Sequence, residues 1–331
     1  MWLPIGIVIG DKYKVVRFLG SGSYGEVYLG QSISTPTEQV ALKVENMLGK
    51  RWLLFYERTF YQSLERGAGD RGRVPRLKDY IQDFDYKVNI LVLELLGHSL
   101  DHWFNYCSNK FSLKTVLQIW DQMLENLRFI HEYSITHGDI KPANILMASE
   151  TIPNMVYLID FGLATQYRDT KTCRHMKDGI GGGRWHGNSM FGSINDHRGV
   201  GRSRRDDLEA LCYMLIYFLR GSLPWSDVRA ANKRQEVMKI TELKLSTPIA
   251  TLCAGLPVEF AKFLEYARDQ LSFTARPNYI YLRRVLVRKL YSKAGFKWDG
   301  KMDWTEKEEP QPEPEIRVFP SWSSMSHADL T

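Results

Sequence analysis

From residue 13 to 44 the chain alternates apolar and polar positions, with turn residues between the runs. A period of two marks half-buried strands. Residues 14–19 form one such run, a second passes through Tyr28-Leu29-Gly30, and residues 39–44 form a third. Over 52–64 the spacing becomes helical, with apolar positions at Leu53, Phe60, Tyr61 and Leu64. Residues 88–96 are a long apolar run broken by Asn89 and Glu94, which predicts a buried strand leading to a linker at Gly97. From Ser112 to Tyr133 the helical period returns. Val116, Ile119, Trp120, Met123, Leu127 and Ile130 share one face, and Ser112 is the expected N-cap. The stretch 203–225 begins charged and becomes wholly apolar, which predicts a helix buried on all sides and ended by Gly221 and Pro224. Helical patterns recur over 227–243, 257–270 and 278–292, and there is no internal repeat. A strand-rich beginning followed by helices is an α+β chain.

Composition narrows the class without selecting a function. Hydrophobic content of 44% and charged content of 25% are ordinary for a globular protein of 331 residues. The net charge of +6 permits nucleic acid, acidic protein or nucleotide phosphate as partner and selects none of them. Cys107, Cys173, Cys212 and Cys253 form no CxxC pair, which favours free thiols in a reducing compartment. The apolar start, residues 1–9, is short of the about 20 residues a membrane span needs and lacks a basic leader region. The expectation is a soluble monomer, cytoplasmic and/or nuclear, with no membrane attachment. From Glu306 the chain turns acidic and proline-rich (Glu308-Glu309-Pro310-Gln311-Pro312-Glu313-Pro314), so 305–331 is expected to be a disordered tail.

Four motifs carry chemistry. Gly20-Ser21-Gly22-Ser23-Tyr24-Gly25-Glu26-Val27 fits G-x-G-x-x-G-x-V. A dinucleotide-binding fold uses glycines similarly, but there the third opens a helix. Here β-prone residues follow, so a strand–loop–strand flap over phosphates is expected, with backbone N–H groups unobstructed by side chains. Val40-Ala41-Leu42-Lys43 places a lysine on an apolar strand. Its acidic partner should lie on the next helix, where Glu57 is preferred to Glu65, which sits close to the glycine break at Gly67 and Gly69. His137-Gly138-Asp139-Ile140-Lys141-Pro142-Ala143-Asn144 reads H-x-D-x-K-x-x-N, and Asp160-Phe161-Gly162 follows a short strand. Phosphoryl transfer needs a carboxylate to orient the attacking hydroxyl and hard oxygen ligands for a metal. Asp139 suits the first role, Asn144 and Asp160 the second, and Lys141 would neutralise charge on the transferred group.

In this order the motifs resemble the catalytic core of a eukaryotic protein kinase. The resemblance implies a bilobal kinase fold over 10–304, with a β-rich N-lobe to about 96 and a helical C-lobe from about 97. It implies ATP and Mg2+. Gly20, Ser21, Gly22, Ser23, Gly25, Val27 and Ala41 would then contact ATP, and Lys43 would hold its α and β phosphates. Leu93 would be the gatekeeper, and the backbone from Glu94 to Leu96 would receive adenine. The polar segment from Asp160 to about Asn195, with Gly179 and Gly181-Gly182-Gly183, would be the activation segment.

Ser203-Arg204-Arg205-Asp206-Asp207-Leu208-Glu209, Gly221-Ser222-Leu223-Pro224-Trp225 and Ser193-Ile194-Asn195 more narrowly resemble the casein kinase 1 family. So do Glu94-Leu95-Leu96-Gly97 and Tyr167-Arg168-Asp169. That likeness implies serine/threonine protein substrates, acidic in character, and an Asp207 that anchors the catalytic-loop backbone. This chain departs from the family at several basic positions. Gly138 replaces the arginine of H-R-D, as in the related vaccinia-related kinases. Met190 and Glu236 stand where the family has basic residues associated with substrates already phosphorylated upstream, and Thr165 and Gln166 replace two lysines. A charge-assisted bond to phosphate contributes about 1.5–3 kcal/mol, so the expected enzyme depends weakly on priming. Arg184, Arg198, Arg202, Arg204 and Arg205 either compensate or form ordinary salt bridges. Without an arginine at 138, activation by phosphorylation of the segment is less expected. The alternative reading is a pseudokinase-like nucleotide-binding scaffold, against which stand Lys43, Asp139, Asn144 and Asp160. A nucleic-acid-binding module has only the positive charge in its favour.

Overall fold

The period-two stretches become strands of one antiparallel sheet. The computed structural model describes residues 2–22, 25–49, 53–65, 73–148, 154–177 and 187–305. These fall into two units: 2–65 with 75–98, and 73–74 with 99–305.

The first unit contains β1 (Val8–Ile9), β2 (Tyr13–Gly22), β3 (Gly25–Ser32), β4 (Gln39–Asn46), helix α1 (Leu53–Glu65), β5 (Leu77–Asp83) and β6 (Val88–Glu94). The strand order is β1-β2-β3-β4-β6-β5. Leu3, Ile9, Val15, Tyr28, Val40, Leu42, Val44, Val88, Ile90 and Val92 pack its core. The apolar start of the chain belongs here. Leu3 and Ile9 are fully buried, and Val8 pairs with Lys14. The expected boundary at residue 10 therefore lies inside the unit. Helix α1 buries Leu54, Glu57, Tyr61 and Leu64, while Leu53 and Phe60 are half-buried. One of its inward positions is an acid, which shifted the face from the one that apolar spacing indicated.

The second unit starts with α2 (Leu100–Tyr106) and α3 (Leu113–Glu132). All six expected core positions of α3 are buried, and the Trp120 ring lies 4.9 Å from those of Phe260 and Phe263. Ser112 caps the helix by accepting from Thr115 N at 3.3 Å, and its hydroxyl donates to Asp303 at 2.6 Å. Short strands follow: β7 (Ile135–Thr136), β8 (Ile145–Met147), β9 (Val156–Leu158) and β10 (Thr165–Gln166), paired β7–β10 and β8–β9. Next come α4 (Ile194–His197) and α5 (Arg204–Arg220), the latter buried apart from Arg205 and most of its last turn and ended by Gly221 at φ +85°. A left-handed C-cap is the position where glycine avoids a Cβ clash. Helix α6 spans Lys233–Ser246 rather than 227–243, because Asn232 accepts from Gln235 N and starts it there. Then α7 (Ile249–Leu252) and α8 (Val258–Glu265) lead into a wider turn over Tyr266–Gln270. Helical turns resume over Tyr279–Tyr281, Leu282–Arg288 and Lys289–Lys293.

Among the described residues no helix is long and apolar enough to cross a membrane. The acidic tail from Glu306, Gly67, Gly69 and the 178–186 stretch lie outside the described residues.

Ser112 joins a helix cap to Asp303, far along the chain. Ser112→Ala removes both the cap and the hydroxyl bond, so it should lower unfolding free energy by about 1–2 kcal/mol in urea titration. A change below about 0.3 kcal/mol would show that neither bond matters.

Candidate active site

The glycine hairpin is formed by β2 and β3, with Gly20 opposite Val27, Ser21 opposite Glu26 and Gly22 opposite Gly25. Ser23 is outside the described residues. Gly25 is required by close approach, since a Cβ there would lie 2.1 Å from Val44 O. In β4 the core side chains are Val40, Leu42 and Val44, so alternation turns Ala41 and Lys43 to the opposite face. Lys43 lies opposite Val27 on one side and Leu91 on the other, and Ala41 lies opposite Leu93. The Lys43 Nζ donates to Glu57 Oε2 at 2.6 Å, and Glu57 is 1% exposed. Glu65, the competing acid, accepts instead from Leu77 N at 2.7 Å. Leu93 is buried. The Glu94 carboxylate accepts from Arg76 N at 3.1 Å and its own N–H donates to Arg76 O at 2.9 Å. The ladder ends at Glu94, so Leu96 lies beyond the sheet.

In the second unit the loop after β7 is organised by Asp207 of α5. Its carboxylate accepts from His137 N, Gly138 N and His131 Nε2, each at 2.8 Å. Burial alone would raise its pKa, but the bond from His131 and the neighbouring donors bring it below the ordinary value. Burial keeps His131 neutral by lowering its pKa. Its Nε2–H goes to Asp207, so Nδ1 accepts from Tyr279 OH. His137 donates from Nε2 to Ile159 O at 2.9 Å and accepts from Asp139 N at its other ring nitrogen, at 3.2 Å.

This places the three residues of the loop motif together. Asp139 Oδ2 accepts from Lys141 Nζ at 2.6 Å and Asn144 Nδ2 at 3.0 Å. Asp139 Oδ1 is buried with no partner among the described residues. Asn144 also donates to Asp139 O at 2.9 Å, which leaves its buried Oδ1 without a partner as well. Asn144 O accepts from Ile159 N at 3.0 Å, so the β8–β9 hairpin brings Asp160 beside Asn144. Asp160 is left-handed at φ +66° and accepts from Gly162 N at 3.2 Å. A non-glycine residue in this region is under local strain, held by its surroundings. Phe161 is fully buried, edge-on to His137 at 5.2 Å.

The basic positions raised by the sequence are engaged inside the fold. Arg202 pairs with Asp196 at 2.6 Å. Arg204 donates to Thr274 O at 2.6 Å and lies over the Tyr167 ring, and Arg205 lies over Phe273. Arg198 is exposed, and Arg184 lies outside the described residues. Ordinary internal pairing is therefore the outcome for Arg202, Arg204 and Arg205. Two groups near α4 had no signal in the pattern. Lys244, inside α6, is 1% exposed and donates to Gly192 O at 2.5 Å and Ser189 O at 3.1 Å. Burial brings its pKa down to about 7 against the charges of Glu209 and Asp196. His197 meets Thr241 Oγ1 at 3.0 Å, and burial, with Lys244 and Lys233 nearby, lowers its pKa to about 2. A lysine on a polar helix and a lone histidine look like solvent-facing residues until neighbouring segments close over them.

The protein kinase domain family model matches residues 13–267, which includes Lys43, Glu57, Asp139, Lys141, Asn144, Asp160 and Asp207.

His197 has a pH consequence. Its folded pKa lies below the ordinary 6.5, so its contribution to stability is complete above pH 6.5 and is lost as pH falls toward 2. The loss is about 1.4 kcal/mol per pH unit for one proton. Between pH 7.5 and 5.0 the wild type should lose roughly 2 kcal/mol more than His197→Gln in urea unfolding. Equal losses would show that His197 takes up its proton in the folded state.

Proposed function

The chain belongs to the protein kinase family, and on that premise we propose that it is a serine/threonine kinase of casein kinase 1 type that needs no priming phosphate. The observation that carries catalysis is the Asp139 carboxylate. One oxygen is fixed by Lys141 and Asn144, while the other is buried without a partner among the described residues. Such an oxygen is set to receive a substrate hydroxyl.

In the proposed reaction the substrate oxygen attacks the γ-phosphorus of ATP. The bond to the β–γ bridging oxygen breaks, ADP leaves with that electron pair, and the hydroxyl proton goes to Asp139. Lys43, held by Glu57, binds the α and β phosphates. Lys141 neutralises charge on the transferred group. Asn144 and Asp160 fit a hard cation, because the Asn144 amide N–H is spent on Asp139 and its oxygen is left to ligate. Mg2+ there would supply charge neutralisation on the phosphates. These retained groups favour catalysis over a scaffold role.

Independence from priming is supported at α6. Glu236 accepts from Lys233 Nζ and from Ser189 Oγ, both at 2.7 Å. Although burial opposes it, these bonds lower the Glu236 pKa, so the carboxylate stays charged. Lys233 is thus neutralised from within, and Met190 offers no replacement charge. Acidic protein substrates suit the net charge of +6, and the unpaired cysteines suit a reducing compartment, cytoplasm and/or nucleus.

Labelled ATP with dephosphorylated casein tests the reaction. Asp139→Asn should cut transfer by about 10²–10⁴-fold while nucleotide binding persists, and EDTA should abolish transfer until Mg2+ is restored. Unchanged transfer by Asp139→Asn would remove the assigned base. Loss of nothing but priming dependence is read separately. A peptide phosphorylated three residues upstream should react within about two-fold of its plain twin, and Glu236→Lys should favour the phosphopeptide by about ten-fold, one charge-assisted bond. A strong preference in the wild type would end the unprimed reading.

A further inference from the structure

Gly138 is at φ +76°, and a Cβ built there would lie 2.2 Å from Nη1 of Arg202 and 2.7 Å from its Cζ. Residues 138 and 202 therefore share one seat, which holds a single guanidinium group. Any side chain at 138 must displace it. The charge missing from the H-x-D motif is supplied from a distant part of the chain.

The guanidinium lies against three stretches of the second unit. Its Nη1 donates to Leu163 O at 3.0 Å, just after Asp160. Its Nε donates to Asp196 Oδ1 at 2.6 Å, in α4 at the far end of the segment. A Cβ built on Gly187, at φ +137°, would lie 3.5 Å from Nη2 and 3.3 Å from Gly138 O. Both ends of the segment thus meet the catalytic loop around one partly buried cation, whose side chain is 15% exposed. The surrounding acids are Asp196, Asp207 and Asp139, all of which strengthen its hold on the proton against burial. The planar guanidinium presents donors in a fixed fork, so it bonds the Leu163 carbonyl and the Asp196 carboxylate from different nitrogens at once.

Resting on the kinase reading above, we propose that Arg202 is a positioning residue that holds both ends of the 161–196 segment against the catalytic loop. Asp196 serves as its built-in counter-ion, so the segment is set without added phosphate. The occupied seat gives a physical reason why Gly138 is compatible with activity.

The test uses the full chain, dephosphorylated and checked by mass spectrometry. Arg202→Met with Asp196→Asn removes the cation without leaving a buried carboxylate unpaired, so the fold is kept. Arg202→Lys retains the ion pair alone. Expected for the double variant are kcat reduced ten-fold or more and KM for ATP within two-fold. Amide exchange in 161–167 and 187–192 should be at least ten-fold faster, with a thermal midpoint close to wild type. Arg202→Lys should fall between. If kcat stays within two-fold, or exchange in these stretches is unchanged, the proposal is overturned. A wild type that transfers no phosphate would instead end the kinase reading, and the exchange comparison would still decide whether Arg202 holds the segment.

Discussion

A single buried carboxylate sets the geometry of the catalytic loop. Asp207 lies on a helix with almost no exposed face, and it receives the N–H groups of His137 and Gly138 and the ring of His131. An isolated charge at that depth would be strongly unfavourable, and three donors offset the cost. From there hydrogen bonds run outward in sequence. His137 ties to Ile159, Asn144 accepts from Ile159 N, and Asn144 and Lys141 orient Asp139. Asp139, Asn144 and Asp160 therefore inherit their positions from α5 through the backbone.

The same region is rich in acids, and its balance is drawn from far along the chain. Asp196 is pushed up to about 7 by burial and by Asp206 and Asp207, with Arg202 opposing. Glu209 is raised by burial, while Tyr213 and Ile194 N bond it. Lys244 is buried within reach of the charges of both acids, which oppose the lowering of its pKa by burial. At the edge, Glu236 neutralises Lys233. Two basic groups, Arg202 and Lys233, are thus each matched by a carboxylate of the same chain. Each of these cations therefore has its counter-charge within the chain.

In the first unit the constraint is steric. Strands β3 and β4 approach so closely at Gly25 that a methyl group would strike Val44 O. That approach aligns Val27 with Lys43, and strand alternation turns Lys43 away from the core toward Glu57. The glycine is needed there for its absent side chain.

Motif spacing made the strand of Lys43, the loop of Asp139, Lys141 and Asn144, and the Asp160-Phe161-Gly162 turn legible in the chain. So did the buried face of α3, since six apolar residues at helical spacing have one way to pack. Those features depend on residues close in sequence, where periodicity and backbone sterics act directly. The inward face of α1, the start of α6 at Asn232 and the inclusion of residues 2–9 in the first unit were less legible. There a buried acid, a cap and a neighbouring strand outweighed apolar pattern. The buried Lys244 and His197 and the Arg202 guanidinium beside Gly138 had no local signature at all. The sequence by itself determined which elements form and which chemical groups they carry. Only the tertiary structure decided which cation meets which carboxylate, because burial and desolvation depend on segments that become neighbours through folding.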